Sequence, residues 1–285
     1  MKWQSSSVSN FASDTTDIPF TGTNYSVTNL TATTYYRVQV KNGVSDPAFS
    51  TVASITVSPL SESGTVRGDT TVCTGTNSSL LTLNGYTGTI QWQSSADNSS
   101  FTNINNATGA TYTAANLTNT TYYRAIVTSG ACAPDTSNVS IVTVSPAAVG
   151  GSIAGSNTVC YSGNSTALSL SSYTGTIEKW QWSTSSTFAS NVNDIPETGT
   201  TLTYTPLNMT ETRYYRAVIV SGACTAYSNA ATVTVNPTSV AGTISGMSTL
   251  CTGTNRDTLT LSGSTGSIQW QSSSDNINFT DITGA

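Results

Sequence analysis

The sequence predicts an all-β chain of tandem immunoglobulin-like β-sandwich domains in an elongated array. Three observations carry that expectation. The first is a stretch that keeps returning: Ile90-Gln91-Trp92-Gln93-Ser94-Ser95 recurs as Met1-Lys2-Trp3-Gln4-Ser5-Ser6 and as Ile268-Gln269-Trp270-Gln271-Ser272-Ser273, with a looser copy in Trp180-Gln181-Trp182-Ser183. With Trp182 as the third member, Trp3, Trp92, Trp182 and Trp270 are 89, 90 and 88 residues apart, the span of one sandwich domain. The second is the alternation of Ile90, Trp92 and Ser94 against Gln91, Gln93 and Ser95, which gives a strand one dry and one wet face. The third is that no stretch holds helical periodicity over three or more turns.

Each element follows from aligning the copies. A Gly-rich lead (Gly150-Gly151-Ser152-Ile153, Gly242-Thr243-Ile244) opens the first strand. The pairs Leu81/Leu83, Leu168/Leu170 and Leu259/Leu261, each two apart, share one face of the next. A Tyr-Thr-Gly-Thr turn (86–89, 173–176) leads into the tryptophan strand, whose large aromatic reads as a core plug. A polar turn follows, with Asp97-Asn98 or Asp275-Asn276, then Phe101 or Phe279 and Ile104 or Ile282. Tyr25, Tyr112 and Tyr204 head another strand, closed by Asn29-Leu30-Thr31, Asn116-Leu117-Thr118 and Asn208-Met209-Thr210. The most regular strand carries Tyr35-Tyr36-Arg37, Tyr122-Tyr123-Arg124 and Tyr214-Tyr215-Arg216. Gln39 stands where Ile126 does, so that face is wet, and Tyr36, Tyr123 and Tyr215 point inward with Val38/Val40, Ala125/Val127 and Ala217/Ile219. The last strand (Ile55/Val57, Val142/Val144, Val233/Val235) stops at Pro59, Pro146 and Pro237, because proline removes a ladder donor.

These boundaries give whole repeats at 60–146 and 147–237, the back part of a repeat at 1–59 and the front part of one at 238–285. The ends cut across the period, so the chain is expected to be a piece of a longer polypeptide, with Val38, Val40, Leu259 and Leu261 covered by neighbours. Strands of about eight residues give domains roughly 35–45 Å long, and short proline-ended linkers favour a rod.

Composition narrows function. Hydrophobic residues make up 36% of the 285 and charged residues only 8%, patterned rather than sparse, which argues against disorder. A net charge of −5 with no basic run disfavours nucleic acid and a polybasic membrane patch, and no segment approaches a membrane span. Histidine is absent, which removes Ser-His-Asp and Cys-His nucleophiles. No Gly-rich phosphate loop precedes a helix, no cysteines stand at zinc-finger spacing, and the acidic residues sit in turns that differ between copies. No catalytic residue, metal ligand or cofactor is expected. Asp97-Asn98 and Asp275-Asn276 read as turn residues, with part of a calcium loop as the alternative. Arg37, Arg124 and Arg216 face outward, as solvated or paired surface arginines or as contacts to an acidic ligand. Trp180 breaks the Gln91/Gln269 pattern, either through a strand shifted by Glu178-Lys179 or as a stacking platform.

Cysteine falls at two repeat positions: Cys73, Cys160 and Cys251 precede the leucine strand, and Cys132 and Cys224 follow the Tyr-Tyr-Arg strand, with Ser45 there in the first repeat. Pairing Cys73 with Cys132 and Cys160 with Cys224 is the economical reading, and would contribute about 4 kcal/mol each by loop closure. Free thiols or bridges between neighbouring repeats are the alternatives. Disulfides imply an oxidising, extracytoplasmic location.

Thr71-Val72-Cys73-Thr74-Gly75, the Ile90–Ser95 stretch, Asn116-Leu117-Thr118-Asn119-Thr120-Thr121-Tyr122-Tyr123-Arg124 and Ser129-Gly130-Ala131-Cys132 together resemble the Ig-like or PKD-like repeats of giant Bacteroidota surface proteins, such as gliding-motility adhesins of the SprB type. That resemblance implies type IX secretion and a bacterial cell-surface filament, anchored at the outer membrane through parts outside these residues, that adheres or supports gliding. Its expected partners are neighbouring repeats of the same longer chain, surface polysaccharide, and secretion or motility subunits. It also implies O-glycans at Asp-Ser/Thr sites, which here would fall on Thr15, Thr70 and Thr258. The competing function is a spacer or carbohydrate-binding module of a secreted hydrolase.

Overall fold

The computed structural model describes residues 1–196 and 201–284, so Ala285, the last residue of the fourth segment, lies outside the described residues. The chain divides into two compact units, Met1–Ser145 and Pro146–Ala285. Among the described residues every regular element is a strand.

In the first unit, β1 (Lys2–Ser6), β2 (Thr16–Ile18), β3 (Thr34–Val40), β4 (Ala48–Phe49) and β5 (Ala53–Ile55) make one sheet in the order β2-β1-β3-β4, with β5 also on β3. A two-layer repeat follows. Its strands are β6 (Thr65–Arg67), β7 (Thr70–Cys73), β8 (Ser78–Asn84), β9 (Thr89–Ser95), β10 (Thr102–Asn103), β11 (Thr111–Ala115), β12 (Thr121–Thr128), β13 (Asp135–Thr136) and β14 (Ser140–Ser145). One layer runs β10-β9-β12-β14-β7 with β13 on β12, and the other runs β11-β8-β6. The opening stretch divides between the layers: β6 pairs antiparallel with β8, and β7 pairs parallel with β14. Two antiparallel-rich sheets joined this way form an immunoglobulin-like sandwich.

The second unit repeats the plan with β15 (Ser152–Ala154), β16 (Asn157–Cys160), β17 (Leu168–Ser171), β18 (Thr176–Ser183), β19 (Asn193–Ile195), β20 (Thr203–Tyr204), β21 (Arg213–Ser221), β22 (Cys224–Tyr227) and β23 (Ala231–Asn236). Its layers are β16-β23-β21-β18-β19, with β22 on β21, and β15-β17-β20. Beyond them, β24 (Thr243–Ser245) pairs with β25 (Thr260–Ser262), and β26 (Gln271–Ser272) with β27 (Thr280–Asp281).

Alternation places the cores. Leu81, Leu83, Trp92, Tyr123, Ala125, Val127 and Val142 are buried in one repeat, and Leu168, Leu170, Tyr215, Ala217, Ile219 and Val233 in the next. An aromatic chain runs through each core: Trp92–Tyr112–Tyr123 with centroids 6.0 and 5.6 Å apart, and Trp180–Tyr204–Tyr215 at 6.2 and 5.7 Å. Tyr36 is likewise buried and stands 6.2 Å from Tyr25, which lies 5.7 Å from Trp3. In the Tyr-Thr-Gly-Thr turns, Gly88 and Gly175 sit at φ of 133° and 122°, where an added Cβ would meet the Thr128 and Val220 carbonyls.

The structure corrects three expectations. The repeat tryptophan at the third position is Trp180, not Trp182. Trp180 is fully buried opposite Ala217, as Trp92 is opposite Ala125. The register slips between Ile177 and Lys179, and this bulge turns the residues after it by one place. Trp182 falls where Ser94 does, at the half-buried rim, under the Arg213 guanidinium at 3.7 Å.

Trp3 and Trp270, expected as core plugs, are only half-buried. The layer that covers Trp92 has no counterpart over Trp3 among the described residues, and Ile244 and Ile268, which line one hollow with Trp270, are exposed.

The within-repeat disulfides do not form. Cys132, Cys160 and Cys251 are free thiols, whereas Cys73 and Cys224 are engaged in disulfide linkage. Strand direction explains why Cys73–Cys132 and Cys160–Cys224 fail. Cys73 lies opposite Ser145, past the N-terminal end of β12, where Thr121 meets Val142; Cys132 follows the opposite end of that strand. Eight residues of β12 at about 3.3 Å each separate the poles by roughly 25 Å, against the ~4–7 Å between bridged Cα atoms. Cys160, opposite Asn236, and Cys224, opposite Ser221, are likewise at the two ends of the nine-residue β21.

Candidate functional site: the outer face of the tryptophan strand

The wet face of the tryptophan strand carries the most regular polar arrangement in the chain. Gln4, Gln93 and Gln181 lie directly opposite Arg37, Arg124 and Arg216 on one neighbouring strand, and opposite Asp17, Asn103 and Asp194 on the other. Register therefore dictates an acid/amide–glutamine–arginine row across three strands. Each arginine Nε donates to its glutamine Oε1, at 2.9, 2.8 and 2.9 Å, and each glutamine Nε2 donates onward to Asp17, Asn103 or Asp194 at 2.7, 2.8 and 2.7 Å. The same donation links Gln271 to Asp281 at 2.7 Å.

Aromatic rings close the row from above. Arg37 lies 4.1 Å from the Phe11 centroid and 4.0 Å from Phe49, Arg124 lies 4.0 Å from Phe101, and Arg216 lies 4.3 Å from Phe188 and 3.9 Å from Tyr227. Burial under these rings lowers the Arg216 pKa, but an arginine stays charged throughout the physiological range. The Lys179 ammonium, 2.8 Å from Asp194, and the Gln181 amide hold the Asp194 carboxyl below its usual range; Lys2 and Gln4 do the same for Asp17. With ring faces covered and Nε committed, the arginines act as cross-strand braces. They are paired surface residues, and their partners explain the face they occupy.

The acidic turns are committed too. Asp97 Oδ1 accepts from the Ser99 and Ser100 amides at 2.9 and 2.8 Å and from the Ser95 hydroxyl at 2.7 Å, and these bonds hold its carboxyl well below the carboxylate range. Asp275 repeats this with Ile277, Asn278 and Ser273. Asn98 and Asn276 follow at φ of 58°, a left-handed conformation that asparagine tolerates. Among the described residues no group of three or more metal-ligating side chains converges. Thr15, Thr70 and Thr258 are exposed.

Two features were not foreseen from sequence. Trp3, Trp92 and Trp180 each donate the indole N–H to a backbone carbonyl: Gly22, Gly109 and Thr201 at 3.0, 2.9 and 3.0 Å. In addition, a Ser-Asn pair clasps the two layers at one edge. Ser137 Oγ accepts from Ala125 N at 2.8 Å on one sheet, while Asn138 accepts from Val66 N at 2.8 Å and donates to Val66 O at 3.0 Å on the other. Ser228 and Asn229 do the same for Ala217 and Ile153. The signal was the Ser-Asn dipeptide just ahead of the last strand in both whole repeats. The first repeat keeps Ser50 and has Thr51 next.

These sandwiches define a protein built from repeated immunoglobulin-like domains, with the outer-face row as a shared structural brace. The chain belongs to the family described as Domain of unknown function (DUF8696), which matches residues 1–59, 62–146, 149–237 and 240–285. No curated protein matches it. Solved structures similar to it include the FN1–FN3 domains of chicken CNTN1 (12% identity, 82% of this chain and 91% of that one, TM-score 0.33). Others are the fibronectin(III)-like modules of Clostridium thermocellum CbhA (12%, 60% and 92%, TM-score 0.37) and the three N-terminal domains of the bacteriophage RB49 outer capsid protein Hoc (11%, 82% and 88%, TM-score 0.39). Among the described residues no helix is long and apolar enough to cross a membrane.

Proposed function

We propose that these repeats are a non-catalytic, tension-carrying stretch of a cell-surface adhesin filament, giving reach and surface adhesion and serving gliding motility. One observation carries the reading. In both whole repeats the opening strand pairs in parallel with the closing strand: Thr70–Cys73 against Val142–Ser145, and Asn157–Cys160 against Val233–Asn236. Pulling the ends of such a repeat apart loads that ladder in shear, so its hydrogen bonds must break together rather than one at a time. The tryptophan–tyrosine core and the arginine row recur from repeat to repeat, which suits accumulated length and strength over one specific site. The same reading places the chain outside the cell, where disulfides persist.

Single-molecule pulling of the reduced full chain tests it. Val72→Pro removes a donor from β7 and is expected to lower the unfolding force of its own repeat while sparing the next. Unchanged force would overturn the reading, while saturable, tight binding of one polysaccharide to the isolated chain would rule out a purely mechanical spacer.

A further inference from the structure

The outer faces of the two whole repeats differ at one place, and the difference opens a hollow in the first. Beside the Tyr-Thr-Gly-Thr turn of repeat 62–146 lies a hollow of about 600 Å³ whose walls include Tyr86, Thr89, Gln91, Thr108, Ile126 and Thr128. Every side chain that lines it is uncharged. Its volume falls within the ~300–1,000 Å³ of small-molecule sites. Tyr86 is exposed and Ile126 half-buried. Gln91 is held in place: its Nε2 donates to the Trp92 and Ile104 carbonyls at 2.9 and 2.8 Å, which leaves Oε1 as an acceptor. Gln269 makes the same two bonds, both at 3.0 Å, so the held amide follows from local sequence. Thr89 Oγ1 donates to the Thr128 carbonyl at 2.9 Å and keeps its lone pairs for a donor. Among the described residues the hydroxyls of Tyr86, Thr108 and Thr128 have no hydrogen-bond partner.

The second whole repeat fills the same place. Lys179 stands where Gln91 does and reaches Asp194 at 2.8 Å, while Val218 and Val220 replace Ile126 and Thr128. Its β22 has four residues against two in β13, so Tyr227 lies opposite Val218 where Thr136 lies opposite Ile126. Val218 is only 3% exposed as a result. In the first segment Lys2 takes the same position and pairs with Asp17. The hollow therefore belongs to one repeat rather than to the fold.

We propose that this hollow is a binding subsite for a neutral pyranose sugar. The C–H face of the ring lies on Tyr86 and Ile126, and its hydroxyls bond to Gln91 Oε1 and to the hydroxyls of Thr89, Thr108 and Thr128. The lining chemistry selects the ligand. Without a cation in the wall, a phosphate or carboxylate would be desolvated unpaired, and without a carboxylate so would an amine. A wholly apolar ligand would strand the amide and hydroxyls instead. A sugar ring offers what the wall lacks: an apolar face for the exposed aromatic and hydroxyls that both donate and accept. The site deepens the adhesive part of the proposed function, and rests on that reading for the source of the sugar, a polysaccharide on the surface the filament meets. One subsite of this kind binds weakly, and adhesion comes from many acting together.

The test titrates the full chain with the methyl pyranosides of glucose, galactose, mannose and N-acetylglucosamine, and with methyl glucuronide as the charged comparison, and follows backbone amide NMR shifts. At least one neutral glycoside is expected to move the Thr89, Gln91, Thr108 and Ile126 amides saturably, and to leave Thr176, Lys179 and Val218 of the second whole repeat in place. Tyr86→Ala should weaken that binding about tenfold, and Tyr86→Phe less than about threefold because the ring is kept. Thr128→Val, which imports the residue the second repeat carries as Val220, should weaken it roughly three- to tenfold. Should a variant fail to fold, the wild-type shift map still decides. No saturable shift with any of the neutral glycosides, shifts centred away from the hollow, equal binding by Tyr86→Ala and wild type, or tighter binding of the glucuronide would each overturn the proposal. Pulling separates this site from the mechanical reading: Tyr86→Ala and wild type should unfold at the same force, so absent sugar binding with that force intact sinks the sugar site alone.

Discussion

Replacing Trp180 and Trp182 one at a time tests where the third core is anchored. Trp180 is fully buried, stacks toward Tyr204 and donates its indole N–H to the Thr201 carbonyl at 3.0 Å. Truncating such a side chain leaves a cavity and an orphaned carbonyl, and costs about 3–5 kcal/mol. Trp182 is half-buried at the rim, with Arg213 above it as its most specific contact. Losing that contact and some apolar area costs about 1 kcal/mol. The assay is amide hydrogen exchange on β21, which reads the opening free energy of that repeat inside the full chain. Trp180→Ala should speed exchange of the β21 core amides by about 10²–10³-fold, and Trp182→Ala by about fivefold, with β12 amides of the preceding repeat as the unchanged reference. If Trp182→Ala does the greater damage, the bulge at Glu178 has been placed wrongly and the reasoning from register fails.

Other consequences are as direct. Asn138→Ala removes two bonds to the Val66 backbone and should cost about 1–3 kcal/mol, seen as faster exchange of the Val66 amide; Asn229→Ala should do the same at Ile153. Asn116 sits at φ 55°, so Asn116→Val should destabilise by about 1–2 kcal/mol in urea melts while Asn116→Gly stays close to neutral. Burial, with neighbouring Tyr112 or Tyr204 second, pushes the Tyr123 and Tyr215 phenols up to about 12. Their folded pKa values lie above the unfolded value near 10, so their stabilisation is complete below that pH and is lost as pH rises through 10 to 12. At pH 11 the loss is about 1.4 kcal/mol per tyrosine, and Tyr123→Phe should flatten the alkaline limb of the denaturation profile for its repeat.

Most of the fold was legible because it rests on period-two alternation repeated several times. Tyr36, Tyr123 and Tyr215 could be assigned inward by comparing Gln39 with Ile126, a comparison only a repeat provides. The tryptophan in the third repeat was misplaced because a single-residue bulge keeps the local sequence plausible in either frame; only the pairing of Trp180 with Ala217 settles it. The cysteines failed for a different reason. Sequence puts both at strand ends, but which pole each occupies depends on strand direction, and the opening strand runs parallel to the closing one. The braces were half legible: the wet-face glutamines and the outward arginines were visible, but their pairing with each other and with Asp17, Asn103 and Asp194 comes only through strand register, and loops bring in Phe11, Phe101 and Phe188.

The central claim is that each repeat is its own mechanical unit closed by a parallel, shear-loaded ladder. Constant-velocity pulling of the reduced full chain by its ends tests it most directly. The account predicts two separate force peaks of similar height for the matched repeats 62–146 and 149–237, each releasing roughly 250–300 Å of chain at ~3.4 Å per residue. Release in steps near 500 Å, the length of a whole unit such as Met1–Ser145, or extension without distinct peaks, would contradict it.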